Sequence, residues 1–209
     1  MSDKEIKQKI LEAGKKLLNE KDYHETVMDE VAQLAGVAKG TIFFHFKSKE
    51  NFIKEILFSV MDELDKIIGE IVSDKKLPPL KKIRLIYDKF IESHLQNMHL
   101  FMIVRKEMFG CAPRKEEMKQ RFDYLSKKIS LVVEELFEHR LIKSFNVNLN
   151  KNEVVSSMLM IYATAVTTMV HFNQEHLSEI KEIFWKILLH GILNEDISVE
   201  MEVFGEKSV

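Results

Sequence analysis

The sequence predicts an all-α chain of about nine helices, and three features predict it. Its 209 residues hold only 7 glycines and 3 prolines, the prolines falling at two places, Pro78-Pro79 and Pro113. Apolar residues recur every three or four positions through most of its length, which is the spacing of one face of a helix. No segment keeps the alternation that a half-buried strand requires.

The elements follow in order. Ile6, Ile10, Leu11, Leu17 and Leu18 place an amphipathic helix over residues 4–20. After the polar link "NEKDYHE", Thr26 stands three residues before Asp29, which resembles a capping box opening a second helix through "VMDEVAQLA". Gly36 interrupts the pattern, and a short third helix follows, roughly Ala38 to Phe44. Ser48 is a good cap for a long fourth helix ending near Ser73, with Phe52, Ile53, Ile56, Leu57, Val60 and Leu64 on its inner side. "DKKLPPL" separates it from a fifth helix, about Leu80 to Gln96, and a sixth, Asn97 to Gly110, which "GCAP" stops. A seventh is expected from Arg114 to Leu141, an eighth from about Lys151 to Asn173, and a last one, capped by Ser178, to about Asn194. The tail after Glu195 has no periodicity and is expected to be loose.

Composition narrows the class. A 45% hydrophobic and 31% charged chain has enough apolar surface to fold. A net charge of −2 argues neither for nor against nucleic acid. The single cysteine, Cys111, excludes an intramolecular disulfide and fits a reducing compartment. The N-terminal "MSDKEIKQKILEAGKK" has no apolar core of a signal peptide, and the longest weakly charged stretch, Ser156 to Val170, falls short of the ~18 residues a membrane span needs. A cytoplasmic protein without a membrane partner is expected.

The most informative stretch is "VAQLAGVAKGTIFFHFKSKE", Val31 to Glu50. Helix, glycine-containing turn and helix is the helix-turn-helix layout. Ala32 and Ala35 allow the two helices to cross closely, while Val31, Val37 and Ile42 supply a shared core. In such a unit the second helix enters the major groove and its first residues meet base edges. Those residues are Ala38, Lys39, Gly40 and Thr41, followed by Phe43, Phe44 and His45. Gly40 permits close backbone approach, Thr41 offers a hydroxyl to phosphate, and Lys47 and Lys49 put positive charge beside the start of the fourth helix, whose amides favour an anion.

The order of residues from Thr26 to Phe52, "TVMDEVAQLAGVAKGTIFFHFKSKENF", resembles the DNA-binding signature of the TetR family of transcriptional regulators. Thr26, Val31-Ala32, Ala35-Gly36-Val37, Gly40-Thr41, the aromatic cluster ending in His45-Phe46, and Lys49-Glu50 carry the match. The resemblance implies a DNA-binding domain over 1–47, a ligand-sensing and dimerisation domain over 48–196 and a loose tail over 197–209. It implies a repressor that binds a palindromic operator in double-stranded DNA as a homodimer and is released by a small-molecule effector. Three departures stand out. Phe43 replaces a tyrosine whose hydroxyl reaches phosphate in the family, Val27 replaces a common serine or threonine, and no arginine precedes Arg84. The reading surface therefore lacks a guanidinium for bidentate contact with guanine. Lys39 is its only cation placed for a base, and Phe44 suits thymine methyls, so an operator read partly at A·T pairs is expected. Residues 1–50 carry nine lysines and nine acids, so the positive charge is local and a monomer should bind modestly.

In the family the C-terminal helices form a ligand pocket and the last two pack against their partners. "SSMLMIYATAVTTMVHF" carries small residues along one side of the eighth helix and Met158, Tyr162, Ala165, Met169 and Phe172 on another, and the last helix repeats this with Ile180, Phe184, Ile187, Leu188 and Gly191. Two covered sides per helix fit a dimer interface. The 11 methionines tolerate variously shaped apolar ligands, although any one of them fills a gap between helices equally well. Met98, Met102, Arg105, Met108, Phe122, Met158 and Tyr162 are the candidate ligand-binding residues, for a hydrophobic or amphipathic small molecule.

No catalytic residue, cofactor or metal is expected. His94 and His99, and His171 and His176, are five apart, not the three or four that align two ligands on a helix. There is no Gly-rich phosphate loop and no convergent carboxylate–histidine motif for an enzyme. The alternative is a helical protein that binds another partner without recognising DNA.

Overall fold

The computed structural model of the chain describes residues 2–20, 28–109, 115–141, 161, 165 and 174–192. All regular structure among the described residues is helical: α1 (Asp3–Glu20), α2 (Met28–Ala35), α3 (Lys39–Phe46), α4 (Lys49–Ser73), α5 (Pro79–Gln96), α6 (Met98–Phe109), α7 (Lys115–Glu138) and α8 (Leu177–Ile192), the last preceded by a 3₁₀ turn, Gln174–His176. The expected eighth helix lies outside the described residues except for Ile161 and Ala165, both helical. No helix among the described residues is long and apolar enough to cross a membrane.

Helix ends are set by local chemistry. α1 opens on a reciprocal cap in which the Ser2 N–H donates to Glu5 Oε2 at 2.6 Å and the Glu5 N–H to Ser2 Oγ at 3.3 Å. Ser48 caps α4 as expected, its Oγ accepting from the Asn51 N–H at 3.1 Å. Ser178 does not cap α8: the 3₁₀ turn starts that helix at Leu177 and leaves Ser178 inside its first turn. α7 stops short of Leu141, because Arg140 turns into the left-handed region at φ 55 and the Leu141 N–H reaches back to the Leu136 carbonyl at 2.9 Å. Leu141 then packs against Leu136, closing that turn with an apolar contact.

The chain packs as two compact units, Met1–Ile67 with Glu92–Arg121, and Ile68–Ile91 with Phe122–Val209. In the first, Ile10 and Leu18 of α1, Val31 and Ala35 of α2, Ile42 and Phe46 of α3, Phe52, Ile53 and Ile56 of α4 and Leu100 of α6 form one buried cluster. α1 crosses α4 at Gly14, where a Cβ would stand 2.3 Å from Phe52 Cζ and 2.6 Å from Ile56 Cδ1. Both partners are fully buried, so neither can retreat cheaply. Lys7–Glu55 at 3.0 Å and Lys15–Glu63 at 2.7 Å border the same crossing.

The second unit is held by polar links as well as by Ile86, Ile129, Val132 and Leu136. Lys82, 3% exposed, places its ammonium between both oxygens of Glu135, at 3.0 and 2.9 Å. Arg84 lies over the Trp185 ring at 5.0 Å and binds Asp88 and Glu182. Burial works against the Arg84 charge, but the hydrogen bonds to Glu182 and Asp88 outweigh it and hold its pKa above the usual value. Tyr87 donates to the Lys181 backbone carbonyl at 2.8 Å, a further link between α5 and α8.

Candidate nucleic-acid interface

The turn between α2 and α3 is fixed by backbone hydrogen bonds. Gly36 adopts φ 64, where a side chain is strained. Its N–H donates to the Gln33 carbonyl at 3.1 Å and the Val37 N–H to the Ala32 carbonyl at 3.0 Å. This is the Schellman pattern, completed by Val37 packing onto the core that includes Ala32. Lys9 of α1 reaches the same turn, its Nζ 3.6 Å from where a Gly36 Cβ would stand.

α3 then divides its residues between two faces. Ile42 and Phe46, 0% and 2% exposed, anchor it in the core, and Phe46 meets Phe52 edge-on at 5.0 Å. Ala38, Lys39 and Gly40 are exposed at its start and Thr41 is half-buried. Ala38 is extended and gives no side-chain cap, which leaves the first amides of α3 to other acceptors. Gly40 has open space around it, with nothing within 4 Å of an added Cβ. Phe43 and Phe44 are 38% and 67% exposed, an unusual amount of aromatic surface for a helix whose other side is core.

Lys47 closes α3 in the left-handed region at φ 67, its N–H bonded to the Phe43 carbonyl, and its ammonium stands 5.2 Å over the Phe44 ring. Lys49, half-buried, begins α4. Exposed cations, a helix start without a side-chain cap, a glycine with room around it and outward aromatics thus gather on and beside α3. That set can bind phosphate oxygens and lay apolar surface against base edges.

Two features of this face arise only from the fold. Lys39 Nζ is hydrogen-bonded to Asp29 Oδ2 of α2 at 2.9 Å. Its partner lies ten positions away across the turn, beyond any spacing rule for helical pairs. His45 does not join the outward set: its side chain is 6% exposed, its Nε2 lies 3.6 Å from Asp3, and its ring contacts Phe44 and Phe46. His45 thus lies on the side of α3 that meets Asp3 of α1. Thr26 lies outside the described residues.

The candidate ligand residues are placed unevenly. On α6, Met98 is half-buried and Met102 is 51% exposed, while Phe122 of α7 is buried. Arg105 and Met108 are helical positions of α6 whose side chains lie outside the described residues, as do Met158 and Tyr162 entirely. Among the described residues no group of His, Cys, Asp and Glu is placed to hold a metal ion. On α8, Ile183 and Ile187 are 55% and 58% exposed one turn apart, while Trp185 is buried on the other side. Ile161 is 64% exposed.

Residues 10–56 match the family described as bacterial regulatory proteins, tetR family. The HTH-type transcriptional repressor DhaR of Mycobacterium sp. (strain GP1) is 26% identical over 88 residues, 42% of this chain and 44% of DhaR. The chain's match thus spans under half the length of that relative. The fatty acid metabolism regulator protein of Bacillus subtilis (strain 168) is similar over nearly the whole length, 23% identical across 89% of this chain and 95% of that protein. Among solved structures, the ketosteroid transcriptional regulator KstR2 of Mycobacterium tuberculosis shares the fold with a TM-score of 0.64 at 19% identity, covering 90% of this chain and 95% of that one. With the helix-turn-helix geometry, the match shows that residues 10–56 are similar to the DNA-binding segment of tetR-family regulators, and the solved structures show that the fold extends over most of the chain.

Proposed function

We propose that the protein is a ligand-responsive transcriptional regulator, most simply a repressor, that binds a palindromic operator as a homodimer. The observation that carries this reading is the two-faced α3: Ile42 and Phe46 hold it in the core while Ala38, Lys39, Gly40, Phe43, Phe44 and Lys47 stand outward. Lys47, Lys49 and Thr41 supply phosphate contacts, and Lys39 and Phe44 meet bases. Thr26, two positions before Met28 in the sequence, adds a hydroxyl to the DNA-contacting set. Residues 1–47 form the reading domain and 48–196 the sensing and dimerisation domain. Two copies reading half-sites about 34–36 Å apart supply the affinity that one near-neutral domain lacks. The Ile183–Ile187 face of α8, which is too apolar to leave in water, is the surface that pairs with a second copy.

The effector is a hydrophobic or amphipathic small molecule, for which Met98, Met102, Arg105, Met108, Phe122, Met158 and Tyr162 are the candidate binding residues. The full-length relative is named for fatty acid metabolism and the structural neighbour for ketosteroids, two apolar chemistries that flexible thioethers accommodate. α4, one continuous helix from Lys49 to Ser73, connects the reading residues to the rest of the chain. The ligand releases DNA to the extent that it binds better when the reading helices are misplaced.

An electrophoretic shift with the DNA upstream of the protein's own gene tests this reading. Wild-type protein should shift that DNA, and Lys39→Ala should weaken binding roughly tenfold or more while leaving the urea midpoint unchanged. Equal affinity of the two proteins would remove α3 as the reading helix.

A further inference from the structure

The Lys39–Asp29 pair has no structural reason to exist. Its side chains are 50% and 61% exposed, and pairs so open to water contribute little to stability. The α2–α3 turn is already fixed by the Gly36 and Val37 backbone bonds and by Val31, Ala35 and Ile42 in the core. A carboxylate beside the outward end of α3 also repels phosphate, so it lowers affinity for any duplex.

We propose that Asp29 is a specificity-determining residue: its carboxylate tethers the Lys39 ammonium to α2, keeps it off the phosphates and leaves its remaining protons for base acceptors. The proposal rests on the reading of α3 as the recognition helix. An ammonium has three donors, and the 2.9 Å bond to Asp29 Oδ2 occupies one. Untethered, a lysine on its flexible stem is drawn to the nearest phosphate, a contact that carries no sequence information. Anchored between two helices whose crossing the turn fixes, the same ammonium has a defined position. The repulsion that Asp29 adds falls equally on every sequence, whereas the directed protons favour only some. The pair thus exchanges general affinity for discrimination. Lys47, held over the Phe44 ring at 5.2 Å, and Lys9, beside Gly36, remain to meet the backbone.

The test compares wild type, Asp29→Asn, Lys39→Ala and the double variant on two duplexes, the footprinted operator and a scrambled duplex of equal length. Asp29→Asn should raise affinity for the scrambled duplex about fivefold, reduce the operator-to-scrambled ratio at least about threefold, and steepen the salt dependence by about one phosphate contact. In the Lys39→Ala background the same substitution should leave the ratio unchanged. If Asp29→Asn raises both affinities equally, Asp29 acts as bulk charge and the proposal fails. It fails too if the ratio falls equally in both backgrounds, because Asp29 would then act without Lys39. A wild-type protein that does not distinguish the two duplexes would overturn the recognition-helix reading itself, a separate result from either of these.

Discussion

Lys39 of α3 and Lys82 of α5 each hold a carboxylate at 2.9 Å, Asp29 in one case and Glu135 in the other. Their surroundings differ. The Lys39 and Asp29 side chains are 50% and 61% exposed, whereas those of Lys82 and Glu135 are 4% and 37% exposed. Water already solvates the first pair, so their bond contributes little to the stability of the fold. The Lys82 ammonium has lost its water and depends on both oxygens of Glu135 to replace it. One bond geometry thus serves two purposes. Around α5 and α7 it is scaffold; on α3 it positions an exposed ammonium without holding the fold.

The sharpest way to break this contrast is to remove the acid from each pair. Glu135→Leu leaves an ammonium buried with its charge uncompensated and should cost about 3 kcal/mol, the lower end for such a loss because Glu135 itself is partly exposed. Lys82→Met, which removes the charge and keeps the length, should cost much less. Asp29→Asn should change stability by under about 0.5 kcal/mol. Urea unfolding followed by circular dichroism reads all three, and similar costs for Glu135→Leu and Asp29→Asn would show that burial does not separate the pairs.

His94 sharpens the comparison from the opposite direction, as a titratable ring buried on α5 and stacked on Phe101 at 4.5 Å. Burial pushes its pKa down from 6.5 to about 4. Its neutral form is the one that fits, so the unfolded chain takes up the proton first as pH falls. The contribution is whole above pH 6.5 and is lost progressively as pH falls from there toward 4. Wild-type protein should therefore lose roughly 3 kcal/mol across that window from this group, and His94→Leu should flatten the slope. Thermal unfolding at half-unit pH steps measures it. An equal slope in both proteins would move the acid sensitivity to other groups.

Which of these features the sequence discloses depends on the range over which each is specified. Gly36 and Ser48 act on neighbours three to five residues away, and the turn and the α4 cap stand where spacing predicts them. The long helices α1, α4, α5 and α7 are amphipathic enough that their periodicity locates them within a few residues. The Asp29–Lys39 bond, the inward turn of His45 and the approach of Lys9 to Gly36 are long-range results of how α1, α2 and α3 cross. No local pattern encodes them. Lys82 is the clearest case, since a lysine in "PPLKKIRLIY" reads as surface and is instead 3% exposed. Its neighbour Lys81 is exposed, and only packing distinguishes the two.

A smaller effect than those at Glu135 and His94 is expected at Gly40, and it separates folding from reading. Gly14 and Gly40 both lie within helices, yet a Cβ at Gly14 would strike Phe52 at 2.3 Å while one at Gly40 meets nothing within 4 Å. The protein itself therefore has no need of a glycine at position 40. An alanine there should hold or raise stability, by up to about 1 kcal/mol from helix propensity. If the backbone at the start of α3 approaches the duplex, the added methyl stands between them and operator affinity should fall several-fold. A stability gain with an affinity loss from one methyl is an outcome that general unfolding cannot mimic. Unchanged affinity in Gly40→Ala, measured in the same titration as wild type, would mean that the backbone of α3 stands off the DNA and that long side chains such as Lys39 and Phe44 make the contacts alone.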